Sequence, residues 1–167
     1  MFKSVLIAVA ALVVGQVVVA QELSERADRK ITGEYFRPHT ASSYQRSAVS
    51  HAETLNYYGQ RYSQLPSETV KEHAGEIKRN LDAAKKEYSK LGKEAKGNKA
   101  VEQHLAKINE HQAKASELAG KLETSASGKE CAEHCAAIEK ELKAAEAEND
   151  KLKKTLGLGP KEEAAKK

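Results

Sequence analysis

Val101, His104, Ile108, His111, Ala115, Leu118 and Leu122 recur at alternating intervals of three and four residues. That period lines all seven along one stripe of an α-helix, and such a stripe is buried only by packing on other helices. Three more segments repeat the pattern, and each brings a histidine or cysteine with it. The first carries Tyr44, Ala48, His51, Leu55, Tyr58 and Tyr62; the second Val70, His73, Ile77, Leu81, Ala84, Tyr88 and Leu91; the last Cys131, Cys135, Ile138, Leu142, Ala145, Asn149, Leu152 and Leu156.

Punctuation between the stripes is short. Pro66 suits the first turn of a new helix, Gly92 to Asn98 holds two glycines, and Ser125 to Gly128 is small and polar. Short connections make successive helices antiparallel neighbours. The expected fold is all-α, an antiparallel up-down-up-down four-helix bundle over residues 44–156, with two long coiled-coil hairpins as the variant if the second hairpin splays away. Composition agrees, since the chain has no tryptophan and only two phenylalanines, so its core must be Leu, Ile, Val, Ala and Tyr.

Before the stripes, Lys3 precedes an apolar run from Val5 onward that ends in Val18 and Ala20, small residues at the −3 and −1 positions of a cut before Gln21. Residues 1–20 thus read as a secretory signal peptide, too short for a spanning helix, and the chain as exported to the periplasm or beyond the cell. Residues 21–43 lack a sustained period and are expected as a polar, partly disordered arm; residues 157–167 follow helix-ending glycines as a charged tail.

The formal net charge is +4 for the whole chain, and its basic and acidic residues alternate, as in Lys85-Lys86-Glu87 and Glu139-Lys140-Glu141. No one-sided basic stripe follows a phosphate backbone, so nucleic acid is not an expected partner. Nor does an enzyme signature emerge. A di-iron carboxylate bundle needs Glu-x-x-His, but Ala48, Val70, Val101, Ile108 and Cys131 stand three residues before the bundle histidines. Covalent haem needs Cys-x-x-Cys-His, whereas Cys131 to Cys135 reads Cys-x-x-His-Cys. His-Glu-x-x-His and glycine-rich phosphate loops are also missing.

What remains is metal-capable chemistry on the stripes. Cys131 and Cys135 lie one turn apart, His134 stands between them, and His51, His73 and His111 come from the other three segments. Thiolate and imidazole suit copper and zinc. Counting about 1.5 Å of rise per residue from the turns places His73 level with Cys131, Cys135 and His134, with His51 and His111 one to two turns lower. A non-enzymatic bundle binding or buffering copper or zinc is one expectation. Its rivals are a structural or protein-interaction module without metal and, third, a bundle binding haem non-covalently through His51 and His111. Buried seam histidines also serve simply to fix helix register. Two exported cysteines ordinarily form a disulfide, yet a regular helix holds i and i+4 Cβ atoms about 6 Å apart, beyond disulfide reach. In architecture alone the chain resembles small exported helical bundles with His or Cys in the core, copper-storage bundles among them. Those are lined by many cysteines and this chain has two, so no site residue is carried over.

Overall fold

The computed structural model describes residues 33–158, with side-chain surroundings from Phe36 onward. The expected signal peptide, the arm up to residue 32 and the tail beyond residue 158 lie outside the described residues. Four helices follow one another: α1 (Gly33–Gly59), α2 (Ser67–Glu94), α3 (Lys99–Leu122) and α4 (Gly128–Thr155). Among the described residues there is no strand, and no helix is long and apolar enough to cross a membrane.

Capping explains where the helices stop and start. Asn98 accepts the Val101 N–H through its side chain to open α3. Ser127 does the same for Glu130 N–H at α4, and the Glu130 carboxylate reaches back to Ala126 N–H. This reciprocal arrangement satisfies donors that a helix start leaves free. At the far end of α4, Leu158 N–H bonds to Lys153 C=O and Gly157 N–H to Lys154 C=O, with Gly157 at φ 71°. A side chain would strain that left-handed turn, which is why glycine closes the helix.

Each helix packs on two neighbours, in the order α1–α2, α2–α3, α3–α4 and α4–α1. Cross-helix pairs fix the directions. Arg37 meets Glu87 while His51 meets His73, and His104 meets Glu148 while His111 meets Glu141, so numbers rise on one helix as they fall on the next. Ser42 with Glu146 and Asn56 with Glu139 show the same for α1 and α4. The α4–α1 contact closes a four-helix bundle, which two splayed hairpins would lack.

The first helix departs from expectation twice. It begins at Gly33, so the stretch from Gly33 to Ser43 expected in the arm is helical. Its anchoring groups are small or polar, which hid them from a search for apolar periodicity: Pro38, Ala41, Ser42 and Gln45 are buried. Arg37 forks between Glu94 and Glu87 of α2, and Asn149 of α4 donates to the Pro38 carbonyl at 3.2 Å. The buried stripe is then Ala41, Gln45, Ala48, Ala52, Leu55 and Gly59, while Tyr44, Tyr58 and Tyr62 stand 38%, 41% and 56% exposed. The expected α2 stripe is buried except that Ala74 takes the place of His73, and on α3 Leu105, Gln112 and Ala119 take the places of His104, His111 and Leu118.

Buried alanine occurs on every helix (Ala48, Ala52, Ala74, Ala84, Ala115, Ala119, Ala145), and its small side chain leaves room for neighbouring helices to approach while the half-buried histidines stand beside it. Leucines and isoleucines fill the remaining volume, each fully buried one contributing about 1.5–3 kcal/mol. The core forms two apolar clusters, one around Leu55, Ile77, Leu122 and Ile138, the other around Tyr88, Leu91, Ile108 and Leu152. The buried polar residues Gln45 and Asn149 interrupt their stripes near the second cluster, where Gln45 accepts the Tyr88 hydroxyl at 2.9 Å.

Candidate metal site

Because the histidines sit on flanks rather than on the axis, each faces a neighbouring helix at the bundle's edge. Half-buried on α1, His51 points its Nδ1 at Nδ1 of His73 on α2, 3.1 Å away, with the rings edge to face at 66°. Neutral imidazole offers one donor and one acceptor, so the pair shares one hydrogen bond, one ring supplying the N–H. Burial holds His73 below the ordinary histidine range, and a positive charge on His51 lowers it further. The pair therefore resists double protonation, which would set two cations side by side.

Above this pair lies an open groove of about 510 Å³, lined by Thr54, Leu55, Tyr58, Tyr62, Gln64, Leu65, Pro66, Thr69 and His73. It forms where the α1–α2 connection crosses the bundle end. The backbone there is fixed by close approach: Gly128 N–H donates to Ser63 C=O at 2.9 Å, and a Cβ on Gly128 would overlap the Tyr62 carbonyl.

Cys131 and Cys135 are free thiols, 1% and 0% exposed, in the first two turns of α4. They face each other. The Cys135 thiol donates to Cys131, which raises Cys135 far above its usual range, with burial acting in the same direction; the same hydrogen bond draws Cys131 down. Apolar side chains of the first cluster surround them, and Ala52, Leu55 and Ala74 belong to the same cluster. His134, between them in sequence, turns away and pairs with the Ser125 hydroxyl at 3.1 Å.

On the opposite side of the bundle, His111 Nδ1 lies 2.7 Å from Glu141 and His104 Nδ1 2.9 Å from Glu148. Glu148 is held down at about 2, chiefly by its hydrogen bond from Lys151 and next by that from His104. The structure thus brings His51 to His73 and Cys131 to Cys135, and sends His111 and His134 to other partners. Among the described residues no three His, Cys, Asp or Glu side chains gather around one point. The His51–His73 contact escaped the sequence reading because heights along the helices placed His73 with the cysteines. The carboxylate partners had a legible signal, since Glu141 and Glu148 repeat the seven-residue spacing of His104 and His111. Comparison with family models, with curated proteins and with solved structures finds no match.

Proposed function

We propose that the chain is an exported, non-enzymatic helical bundle that binds a late first-row transition ion, copper or zinc, through His51 and His73. The observation that carries the reading is the 3.1 Å approach of two Nδ1 atoms from adjacent helices. With metal–nitrogen bonds of about 2.0–2.1 Å, that separation corresponds to an N–metal–N angle of about 95–102°, between the square and tetrahedral values. A rotation of each ring would turn both Nδ1 lone pairs to one ion once the ring that now donates from Nδ1 has shifted its proton to Nε2, the tautomer that the accepting ring already holds. Cys131 and Cys135 are a second, softer donor pair, but an ion needs both as thiolates, and Cys135 is raised far above its usual range by its hydrogen bond to Cys131 and by burial. Export is supported by the apolar segment and small residues before Gln21.

Thermal melts of reduced protein with added zinc test this. At free zinc about 100 times the dissociation constant, the wild type should gain about 2.7 kcal/mol. His51→Ala and His73→Ala should lose that gain, and a Cys131→Ser, Cys135→Ser double variant should keep it. A wild-type melt unmoved by zinc well above micromolar concentration overturns the reading. A response lost only in the cysteine variant assigns it to the thiols instead.

The rival reading, a structural or protein-interaction module without metal, is favoured by one observation. Phe36, Tyr44, Tyr57, Tyr58 and Tyr62 are the large hydrophobic residues exposed among the described ones, and all lie on α1 or immediately after it. Tyr57, Tyr58 and Tyr62 lie together, with ring centroids 5.5 and 6.3 Å apart, and clustered exposed aromatics mark contact surfaces more often than isolated ones do. That reading stands if zinc leaves the melt unchanged while Tyr58→Ser and Tyr62→Ser also leave it unchanged, their surface serving a partner rather than the fold.

A further inference from the structure

The two-imidazole pair and the groove beside it share His73, which contacts His51 through Nδ1 and lines the groove wall. An ion held by His51 and His73 has two coordination positions filled. Cu(II) and Zn(II) take four or more ligands, and the described residues bring no third His, Cys, Asp or Glu to this point. The groove's own polar groups are hydroxyls and one amide, on Thr54, Thr69, Tyr58, Tyr62 and Gln64. These are weak donors to a borderline ion beside an imidazole. Thr54 Oγ1 is moreover engaged with Ser50 C=O at 2.9 Å.

The walls are of a different character from the polar flanks elsewhere. Tyr58 and Tyr62 lie with ring centroids 6.3 Å apart, and Leu65 and Pro66 face the same space. Both tyrosines keep an exposed ring, so a flat, weakly polar group can lie against them while its edge is directed towards His73. A ligand matching both features needs a nitrogen lone pair in the plane of an aromatic ring.

We propose that the His51–His73 ion is an open site completed by an imidazole-type ligand seated in the Tyr58–Tyr62 groove, so that the bundle captures heteroaromatic nitrogen bases only when metal-loaded. This rests on the metal reading above. Two sources share the chemistry, a free small base or a histidine side chain carried by another protein. The ligand replaces a metal-bound water by forming one new metal–nitrogen bond, with no change of oxidation state.

The test uses Cu(II) on the mature chain, with electron paramagnetic resonance counting directly bound nitrogens and imidazole as the probe. Cu(II) alone should show two protein nitrogens, and imidazole should add a third at a concentration at least tenfold lower in the wild type than in a Tyr58→Ala, Tyr62→Ala variant. Both residues are exposed, and circular dichroism confirms the variant's fold. Methylamine, which has a nitrogen but no ring, should show no difference between the two proteins. A blocked histidine binding more tightly than imidazole identifies a protein-borne side chain as the source; the reverse order identifies a free base. The proposal is overturned if copper is bound by two nitrogens yet imidazole adds none, or adds one equally in wild type and variant. Copper failing to bind, or binding equally well after His51→Ala, overturns it by removing the metal reading itself, and that outcome is visible before any imidazole is added.

Discussion

The α1–α2 and α3–α4 hairpins place histidines at the same kind of position and make different chemistry from them. His51 and His73 on one side, and His104 and His111 on the other, are all half-buried flank residues beside a buried neighbour. In the first hairpin imidazole faces imidazole at 3.1 Å; in the second it faces carboxylate at 2.9 and 2.7 Å. A proton on both rings of the first arrangement would set two cations side by side, whereas in the second a carboxylate stands opposite each ring. Only in the first do ring nitrogens of two helices face each other, since a carboxylate engages Nδ1 in the second. What a flank histidine can do is therefore decided by the residue that the antiparallel register sets opposite it.

The comparison presupposes a core under both seams, and breaking that core gives the largest expected effect. Ile108 is fully buried in α3 between His104 and His111. Ile108→Asp puts an unpaired carboxylate there and should cost more than about 4 kcal/mol, enough to abolish a cooperative melt by circular dichroism. Lys107→Gln next to it should change stability by less than about 0.5 kcal/mol. Equal melts for the two variants would mean that the faces are wrongly assigned.

Next in size is removal of the carboxylate-paired rings. His104→Gln with His111→Gln should cost about 1–2 kcal/mol in urea unfolding at pH 6, because two partly exposed pairs of this kind contribute up to about 1 kcal/mol each. The zinc response should survive intact. Loss of that response in this variant would place the ion on the wrong hairpin.

These experiments bear on how much of the molecule was legible in its residues. Helix identity, the three turns and the bundle followed from apolar period and punctuation, signals that act locally and repeat. One place on the α2 stripe and three on α3 go to the next residue, Ala74, Leu105, Gln112 and Ala119, because a half-polar imidazole and its neighbour carry nearly equal weight in an apolar period. The α1 extension was invisible because it is held by Arg37 on two glutamates and Asn149 on a carbonyl, contacts made with other helices. Pairing at the site depended on register to within one turn. Loop lengths set that register, and a count of residues along straight helices cannot supply it.

A third experiment converts one seam into the other. His73→Glu sets a carboxylate opposite His51, and the sign of the pH dependence should change. In the wild type the folded pKa of His73 lies below the unfolded value near 6.5, so its contribution is fully present above about pH 6.5 and is lost as pH falls through the folded value. With glutamate there, protonation of His51 gains a partner. The variant should thus gain about 1 kcal/mol relative to wild type between pH 7.5 and 5, measured by urea unfolding. A variant that parallels the wild type across that window would show that the imidazole pair carries no pH sensitivity of its own.

The smallest effect separates the two seams by the pH at which each fails. Glu148, held at about 2 by Lys151 and His104 and starting from 4.5, contributes stability that is present above about pH 4.5 and is lost as pH falls towards 2. Glu148→Gln should cost about 0.5–1 kcal/mol at pH 7, the range for a partly exposed charge pair, and the gap between variant and wild type should close as the solution is taken from pH 4.5 to 2. Between pH 7 and 5 Glu148 itself does not titrate, so the gap should not close there. His73→Gln should differ from wild type in another window, the difference changing as pH falls below about 6.5. Other carboxylates titrate in the acid window too, but they do so alike in wild type and variant, so the difference isolates the substituted group. Should the Glu148→Gln gap close already between pH 7 and 5, the Glu148 carboxylate would not be held down by Lys151 and His104, and the opposite residue would not be what sets a flank histidine's chemistry.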